Sequence, residues 1–179
     1  MHIFVNEHIH LSEFRPVDKA ALIEHLNDRG IYERTLRIPF PYTEANADEY
    51  LAFVERQIQE HGQPLAWAIR NDQNCLIGGF GFEGLEVGKS HRAEIGYWLA
   101  RPYWGRGIMA AVVRRACAFA FAELRLVKIT AHVFAGNTAS ARVLEKCGFE
   151  TEGYLKKHYL KDCQFLDAIP YALLKEEAM

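Results

Sequence analysis

Residues 93–109 constrain this chain more than any other stretch. An apolar strand pattern over 93–100 runs into a loop carrying Gly105 and Gly107, and a helical pattern with Ile108, Val112, Ala116 and Phe119 on one face begins at once. Two glycines spaced G-x-G let the loop backbone curl so that successive N–H groups turn inward. The helix start adds its own unpaired donors and a partial positive charge. Such a nest suits a pyrophosphate. No third glycine completes G-x-G-x-x-G and the strands ahead form a meander, which argues against a dinucleotide fold; the missing G-K-[ST] argues against a nucleoside-triphosphate P-loop. On these residues alone, a tight strand-to-helix turn with no ligand also fits.

The rest of the pattern predicts an α/β chain. Residues 3–15 read as a first edge strand, and Asp18 as the N-cap of a helix ending near Gly30. Pro39 and Pro41 exclude a regular helix over 35–43, and Thr43 opens a strong helical pattern closed by His61-Gly62. Strands are expected over 65–70, 75–82 and 93–100, the first two as an antiparallel hairpin across Asn71-Asp72-Gln73-Asn74. Gly78, Gly79 and Gly81 inside the second point to a bulge or a close backbone approach. A long helix over 107–124, a strand over 127–134, a short helix capped by Asn137 and stopped at Gly148, and strands over 149–159 and 164–174 complete the order. The expected fold is α/β (α+β), a mixed and mostly antiparallel sheet with one parallel crossover and helices on both faces, in a single domain over 1–179.

Bulk properties remove several function classes. Twenty-one basic against 23 acidic side chains leave a net charge of −2, so no basic surface marks nucleic acid as the partner. No apolar run approaches the ~18 residues of a membrane span, and the start of the chain lacks a basic segment followed by an apolar one, so a cytoplasmic, membrane-free protein is expected. Cys75, Cys117, Cys147 and Cys163 form no C-x-x-C pair and are expected to be reduced, with no metal site. His8-x-His10 has the spacing of a metal pair but reads as two surface residues of an edge strand.

The second informative cluster is Asn137-Thr138-Ala139-Ser140-Ala141-Arg142-Val143-Leu144-Glu145-Lys146-Cys147-Gly148-Phe149. By itself it is a capped helix with Val143 and Leu144 inward. Together with Trp104-Gly105-Arg106-Gly107 after Glu94-Ile95-Gly96-Tyr97-Trp98-Leu99, it makes the chain resemble the GNAT acetyltransferase superfamily, and within it the ribosomal-protein N-terminal (Rim) branch. Pro39-Phe40-Pro41-Tyr42-Thr43 and the closing Tyr171-Ala172-Leu173-Leu174-Lys175-Glu176-Glu177 strengthen the likeness, which spans nearly the whole chain. Two positions depart from it: Pro102 stands where the loop usually has Gln or Arg, and Ala111 where the Rim branch usually has Glu.

The resemblance implies acetyl-CoA in a cleft between the 93–100 and 127–134 strands. Pantetheine would lie along the backbone of Trp98, Leu99 and Ala100, and the pyrophosphate on the N–H groups of Trp104, Gly105, Arg106, Gly107, Ile108 and Met109. Asn137 would contact the cofactor arm, Ser140 would lie near the thioester sulfur, and Arg142 and Lys146 would meet the adenosine phosphates. Glu94 matches an acidic position common in the branch and is the expected base; an edge-strand carboxylate paired with Arg92 or another cation is the plainer alternative. Ser140 is the expected proton donor to the thiolate, with Tyr154 and His158 as alternatives. Pro39, Tyr42, Tyr154 and His158 are expected around the acceptor, which is a protein N-terminus or a small amine. The expected function is N-acetyl transfer, most simply to a protein α-amine, by a monomer or homodimer without a metal. The rivals are a small-molecule or antibiotic acetyltransferase and, from another class, a non-catalytic CoA-binding regulator.

Overall fold

The structure is a computed structural model and describes residues 2–175. Residues 3–15 are a hairpin rather than one strand: β1 (His2–Asn6) turns back through Glu7 and His8 into β2 (Ile9–Ser12), with the Asn6 carboxamide accepting from the His8 N–H. An Asx turn closes this hairpin without Gly or Pro, so its usual signal is missing. α1 (Lys19–Leu26) stops before Gly30, which lies inside a short helix α2 (Arg29–Tyr32) capped by Asp28. Asp18 precedes α1, yet its side chain does not cap it. Thr43 and Asn46 form a capping box for α3 (Glu44–His61), and Gly62 at φ 70° ends that helix in the left-handed conformation.

β3 (Ala66–Asn71), β4 (Leu76–Glu83) and β5 (Arg92–Leu99) form an antiparallel meander, as the sequence predicts. α4 (Ile108–Ala122) crosses to β6 (Lys128–Phe134), and α5 (Thr138–Lys146) follows. The expected 149–159 strand is split into β7 (Glu150–Thr151) and β8 (Leu155–Lys161) by Gly153 at φ 147°; β9 (Gln164–Leu174) closes the described chain. Glu176 and Glu177 of the closing motif lie outside the described residues.

The strands make one sheet in the order β1-β2-β3-β4-β5-β6-β9-β7, with β8 paired to β9. All neighbours are antiparallel except β5 and β6. That parallel pair is in register only from Arg92↔Lys128 to Glu94↔Thr130, after which the two strands diverge. Residues 95–99 and 131–134 therefore present ladder edges to a gap rather than to each other. β6 remains paired to β9 along its whole length, and Pro170, which has no N–H, stands opposite His132 in that ladder.

Helices cover both faces. Leu22, Leu26 and Val54 of α1 and α3 pack with Ala68 and Leu76, while Val112, Ala116 and Leu144 of α4 and α5 pack with Ile69, Ile77 and Ile129. The period-two alternation of β3 and β4 thus feeds two separate cores. Within this apolar frame Arg70 is 1 % exposed and Asp18 4 %. Their bidentate pair (2.7 and 2.8 Å) is completed by Ser12 Oγ accepting from Arg70 Nε at 2.6 Å and the Glu13 carbonyl accepting from Nη2 at 3.1 Å. Asp18 is therefore the anchor that ties the start of α1 to β2 and β3.

Candidate active site

The start of α4 has the expected shape. Gly105 and Gly107 sit at φ 75° and 77°, and a Cβ added at either would meet nothing within 4 Å. The glycines are needed for conformation, not for space. Gly107 is the N-cap and has no side chain to offer; the first bond into the helix runs from Ala111 N–H to Gly107 C=O at 3.1 Å. Among the described residues no acceptor meets the N–H groups of residues 105–110. These unpartnered donors stand at a helix N-terminus, which fits an anionic phosphate. The loop is braced from outside. Arg101 lies over the Trp104 ring (4.8 Å) and bonds Asp28 (2.5 and 2.6 Å), holding that carboxyl below its usual range, and Arg106 lies over Tyr103 (5.7 Å).

The strand edge differs from the expectation in one respect. Ala100 N–H donates to Ile77 C=O at 2.8 Å, and Trp98 and Gly96 stand opposite Gly79 and Gly81. Because antiparallel pairing alternates, the peptide groups of Gly96, Trp98 and Ala100 face β4, and those of Ile95, Tyr97 and Leu99 face the gap. The Leu99 carbonyl is already bonded by the Trp104 indole at 2.6 Å. The backbone groups open to the gap thus belong to Tyr97 and to the Leu99 N–H, not to Trp98 and Ala100.

Across the gap, Asn137 caps α5 by accepting from the Ser140 N–H at 3.3 Å, and Ser140 Oγ lies 2.8 Å from the Tyr97 hydroxyl. Burial pushes the Tyr97 phenol above its ordinary pKa, with the Ser140 bond acting the other way. Arg142 and Lys146 are exposed on the same helix.

A cleft of about 880 Å³ runs from Tyr97, Asn137 and Ser140 through the gap to Pro39, Tyr42, Tyr50 and Phe53 on the other side of the sheet. Here the floor is nearly bare backbone, since Gly81 and Gly96 occupy the face shared by Glu83, Glu94 and Trp98. A Cβ on Gly96 would come within 3.0 Å of Glu83 Oε1. Two carboxylates border this floor. Glu83 bonds Arg37 at 2.7 Å; burial pushes its carboxyl up, Arg37 pulls it down, and the nearby Glu94 charge pushes it up again. Glu94 Oε1 lies 3.0 Å from Nδ1 of His132 on β6. That contact is off the hydrogen-bond direction, so Nδ1 has the reach of an ion pair without a well-formed bond.

Tyr42 lines the cleft as expected, but its backbone is pinned by Asn27 (2.7 and 2.9 Å) and burial lifts its phenol to about 12. Two expected residues lie elsewhere. Tyr154 is exposed and donates to Asp167 at 2.8 Å, and His158 stacks on His132 (5.4 Å) without lining the cleft. Gly153 splits the strand that carries them, so their side chains do not continue the register of 149–151. Sequence reasoning missed Glu83, Arg37, Tyr97 and His132. Only the β4–β5 register, which sets Glu83 opposite Glu94, and the alternation of β6 would have found them.

Residues 8–150 match the family model for the acetyltransferase (GNAT) domain. The chain belongs to the GNAT acetyltransferase family. Its activity class is acetyl transfer, and its fold is the mixed sheet of that family. An uncharacterized N-acetyltransferase of Bacillus subtilis (strain 168), YoaA, is 37% identical over 112 residues, which are 62% of this chain and 63% of that protein. The ribosomal protein uS5-alanine N-acetyltransferase of Escherichia coli (strain K12) is 29% identical over 102 residues, 57% of this chain and 53% of that protein. Both alignments span less than two thirds of the relative. The solved structure of Mycobacterium smegmatis RimJ in complex with CoA-disulfide superposes with a TM-score of 0.81 at 26% identity, covering 93% of this chain and 81% of that one.

Proposed function

We propose that this GNAT protein transfers the acetyl group of acetyl-CoA to a primary amine, and that a protein N-terminal α-amine is its acceptor. One observation carries the reading: the N–H groups of residues 105–110 are unpartnered at the start of α4, and the strand β5 that leads to them lines a cleft that passes between splayed strands and reaches two carboxylates. Acetyl-CoA, when bound, supplies an activated acetyl thioester.

The chain's own groups then have distinct tasks. The N–H groups of residues 105–109 hold the pyrophosphate, Tyr97 and the Leu99 N–H hold the pantetheine arm, and Arg142 and Lys146 lie near the adenosine phosphates. Asn137 fixes the start of α5 and so fixes Ser140, whose hydroxyl donates a proton to the leaving sulfur. Glu83 and Glu94 attract the acceptor as an ammonium, and Glu94 accepts its proton. An α-amine with a pKa near 8 is ~10 % neutral at pH 7, whereas a lysine near 10.4 is far below 1 %, so one carboxylate has less to do for an N-terminus. The similarity to a ribosomal-protein alanine acetyltransferase supports the same acceptor class. A cytoplasmic location accords with such an acceptor, and among the described residues no helix is long and apolar enough to cross a membrane.

The test is a panel assay with acetyl-CoA, reading free thiol and product mass. Peptides beginning with Ala or Ser should be acetylated once, at the α-amine, with higher kcat/KM than polyamines or aminoglycosides. Preference for a small amine by tenfold or more would refute the acceptor assignment while leaving acetyl transfer intact.

A further inference from the structure

The cleft holds an imidazole to which the reading above gives no role. Glu94 on β5 and Thr130 on β6 are the last register pair before the strands part, and His132 follows two residues later on the same face. The splay therefore sets a carboxylate and an imidazole against each other at the point where the acceptor nitrogen must arrive. Oε1 and Nδ1 are 3.0 Å apart. Both atoms are acceptors unless a proton lies between them. Nδ1 is sealed from solvent and, among the described residues, has no hydrogen-bond partner. A proton delivered to Nδ1 would therefore turn a contact between two acceptors into an ion pair at 3.0 Å.

We propose that Glu94 and His132 form a single proton-accepting unit for the acceptor amine, with His132 supplying the second protonation site that lets the carboxylate give up the proton it takes. This rests on the acetyl-transfer reading above. The acceptor ammonium gives one proton to the Glu94 carboxylate, which passes one to Nδ1 of His132. The freed nitrogen lone pair forms the N–C bond as the C–S bond breaks; the thiolate takes its proton from Ser140, and the second N–H proton of the acylated nitrogen leaves through solvent, which reprotonates Ser140. Charge balances: one positive charge moves from the ammonium to the imidazolium beside its carboxylate.

The surroundings suit such a unit. From β8, His158 stacks on His132 (5.4 Å, 20°) and Tyr159 meets His158 edge-on (4.5 Å). From β4, Glu83 adds negative charge, offset by Arg37 of the 35–42 segment. From β9, the facing residue is Pro170, which does not titrate. Glu94 and Glu83 thus place carboxylates on the cleft side of His132, and His158 stands behind it. His132 keeps 22 % of its side chain exposed and only Nδ1 is sealed, so the imidazolium can return a proton to solvent from Nε2 between turnovers.

Two measurements test this on the intact protein. The first follows the His132 ring by proton–carbon NMR from pH 5 to 9 in the wild type and in Glu94→Gln, without acetyl-CoA. Loss of the carboxylate should lower the His132 midpoint by about 1–3 pH units; an unchanged midpoint overturns the proposal. The second measures kcat/KM against pH with an alanine-initiated peptide and saturating acetyl-CoA. His132→Gln should lose at least tenfold at pH 7 and move the acidic limb, and Glu94→Gln/His132→Gln should lose little more than the worse single variant, because members of one unit are not additive. His132→Asn keeps a donor toward Glu94 but cannot titrate. It should fail like His132→Gln, and its melting temperature shows that the fold is intact. Wild-type activity in His132→Asn, an unmoved pH limb, or full additivity overturns the unit alone. Absence of thiol release from the wild type with any amine overturns the acetyl-transfer reading and the proposal with it.

Discussion

Gly107→Ala separates the backbone's contribution from every side-chain effect. At φ 77° an alanine is strained by ~1–2 kcal/mol. Its Cβ meets nothing within 4 Å, so no clash adds to that. At ~2–4 °C per kcal/mol for a chain of this size, Tm should fall by about 2–8 °C if the loop keeps its shape. If the loop instead relaxes to negative φ, the strain is relieved and the N–H groups of Ile108 and Met109 swing from the phosphate position. Losing one hydrogen bond to a charged phosphate, ~1.5–3 kcal/mol, weakens acetyl-CoA binding by about 10- to 150-fold. Gly88 is an internal control: it has the same φ of 77°, equally open space, and lies in the β4–β5 connection. Calorimetric melting and isothermal titration on both variants decide the matter. Gly88→Ala should lose stability only, and Gly107→Ala should lose affinity. Equal, near-wild-type affinity in both would refute the role assigned to the α4 start.

Three further outcomes are expected. Asp18→Ala leaves a fully buried guanidinium without its carboxylate, which costs ~3–5 kcal/mol and should lower Tm by about 6–20 °C; a drop under 2 °C would contradict the anchor. Burial raises the Glu83 pKa in the folded chain, so ionised Glu83 subtracts stability, an effect absent below the unfolded pKa, growing as pH rises above it and complete above the folded one. Glu83→Gln should therefore raise Tm at pH 8 and leave it nearly unchanged at pH 4, and a lower Tm at pH 8 would show that the Arg37 pair dominates. Tyr97→Phe and Ser140→Ala should couple by ~0.5–3 kcal/mol in a double-mutant cycle of melting free energies; simple additivity would mean their 2.8 Å contact contributes nothing.

Local chemistry was the legible part of this protein. The G-x-G loop, the Thr43 and Asn137 caps and the turn at 71–74 each follow from one stretch of sequence and need no partner elsewhere, and each stands where the sequence puts it. What escaped depends on distant residues. Asp18 reads as a cap until Arg70, 52 positions on, arrives beside it. Which peptide groups of β5 face the gap is set by the register with β4, and a shift of one residue would reverse it. His132 and His158 look alike in sequence, and only the split between β7 and β8 and the divergence of β5 from β6 make one line the cleft while the other backs it.

The most direct measurement is a titration of acetyl-CoA into the purified protein, followed by melting temperature and by isothermal titration. A ligand bound only by the folded state adds RT ln(1 + [L]/Kd), ~1.4 kcal/mol at a tenfold excess over Kd, or about 3–6 °C here. The account predicts that rise, shared by desulfo-CoA and diminished in Gly107→Ala. No rise at millimolar acetyl-CoA would contradict the phosphate nest and the acetyl-transfer site built on it.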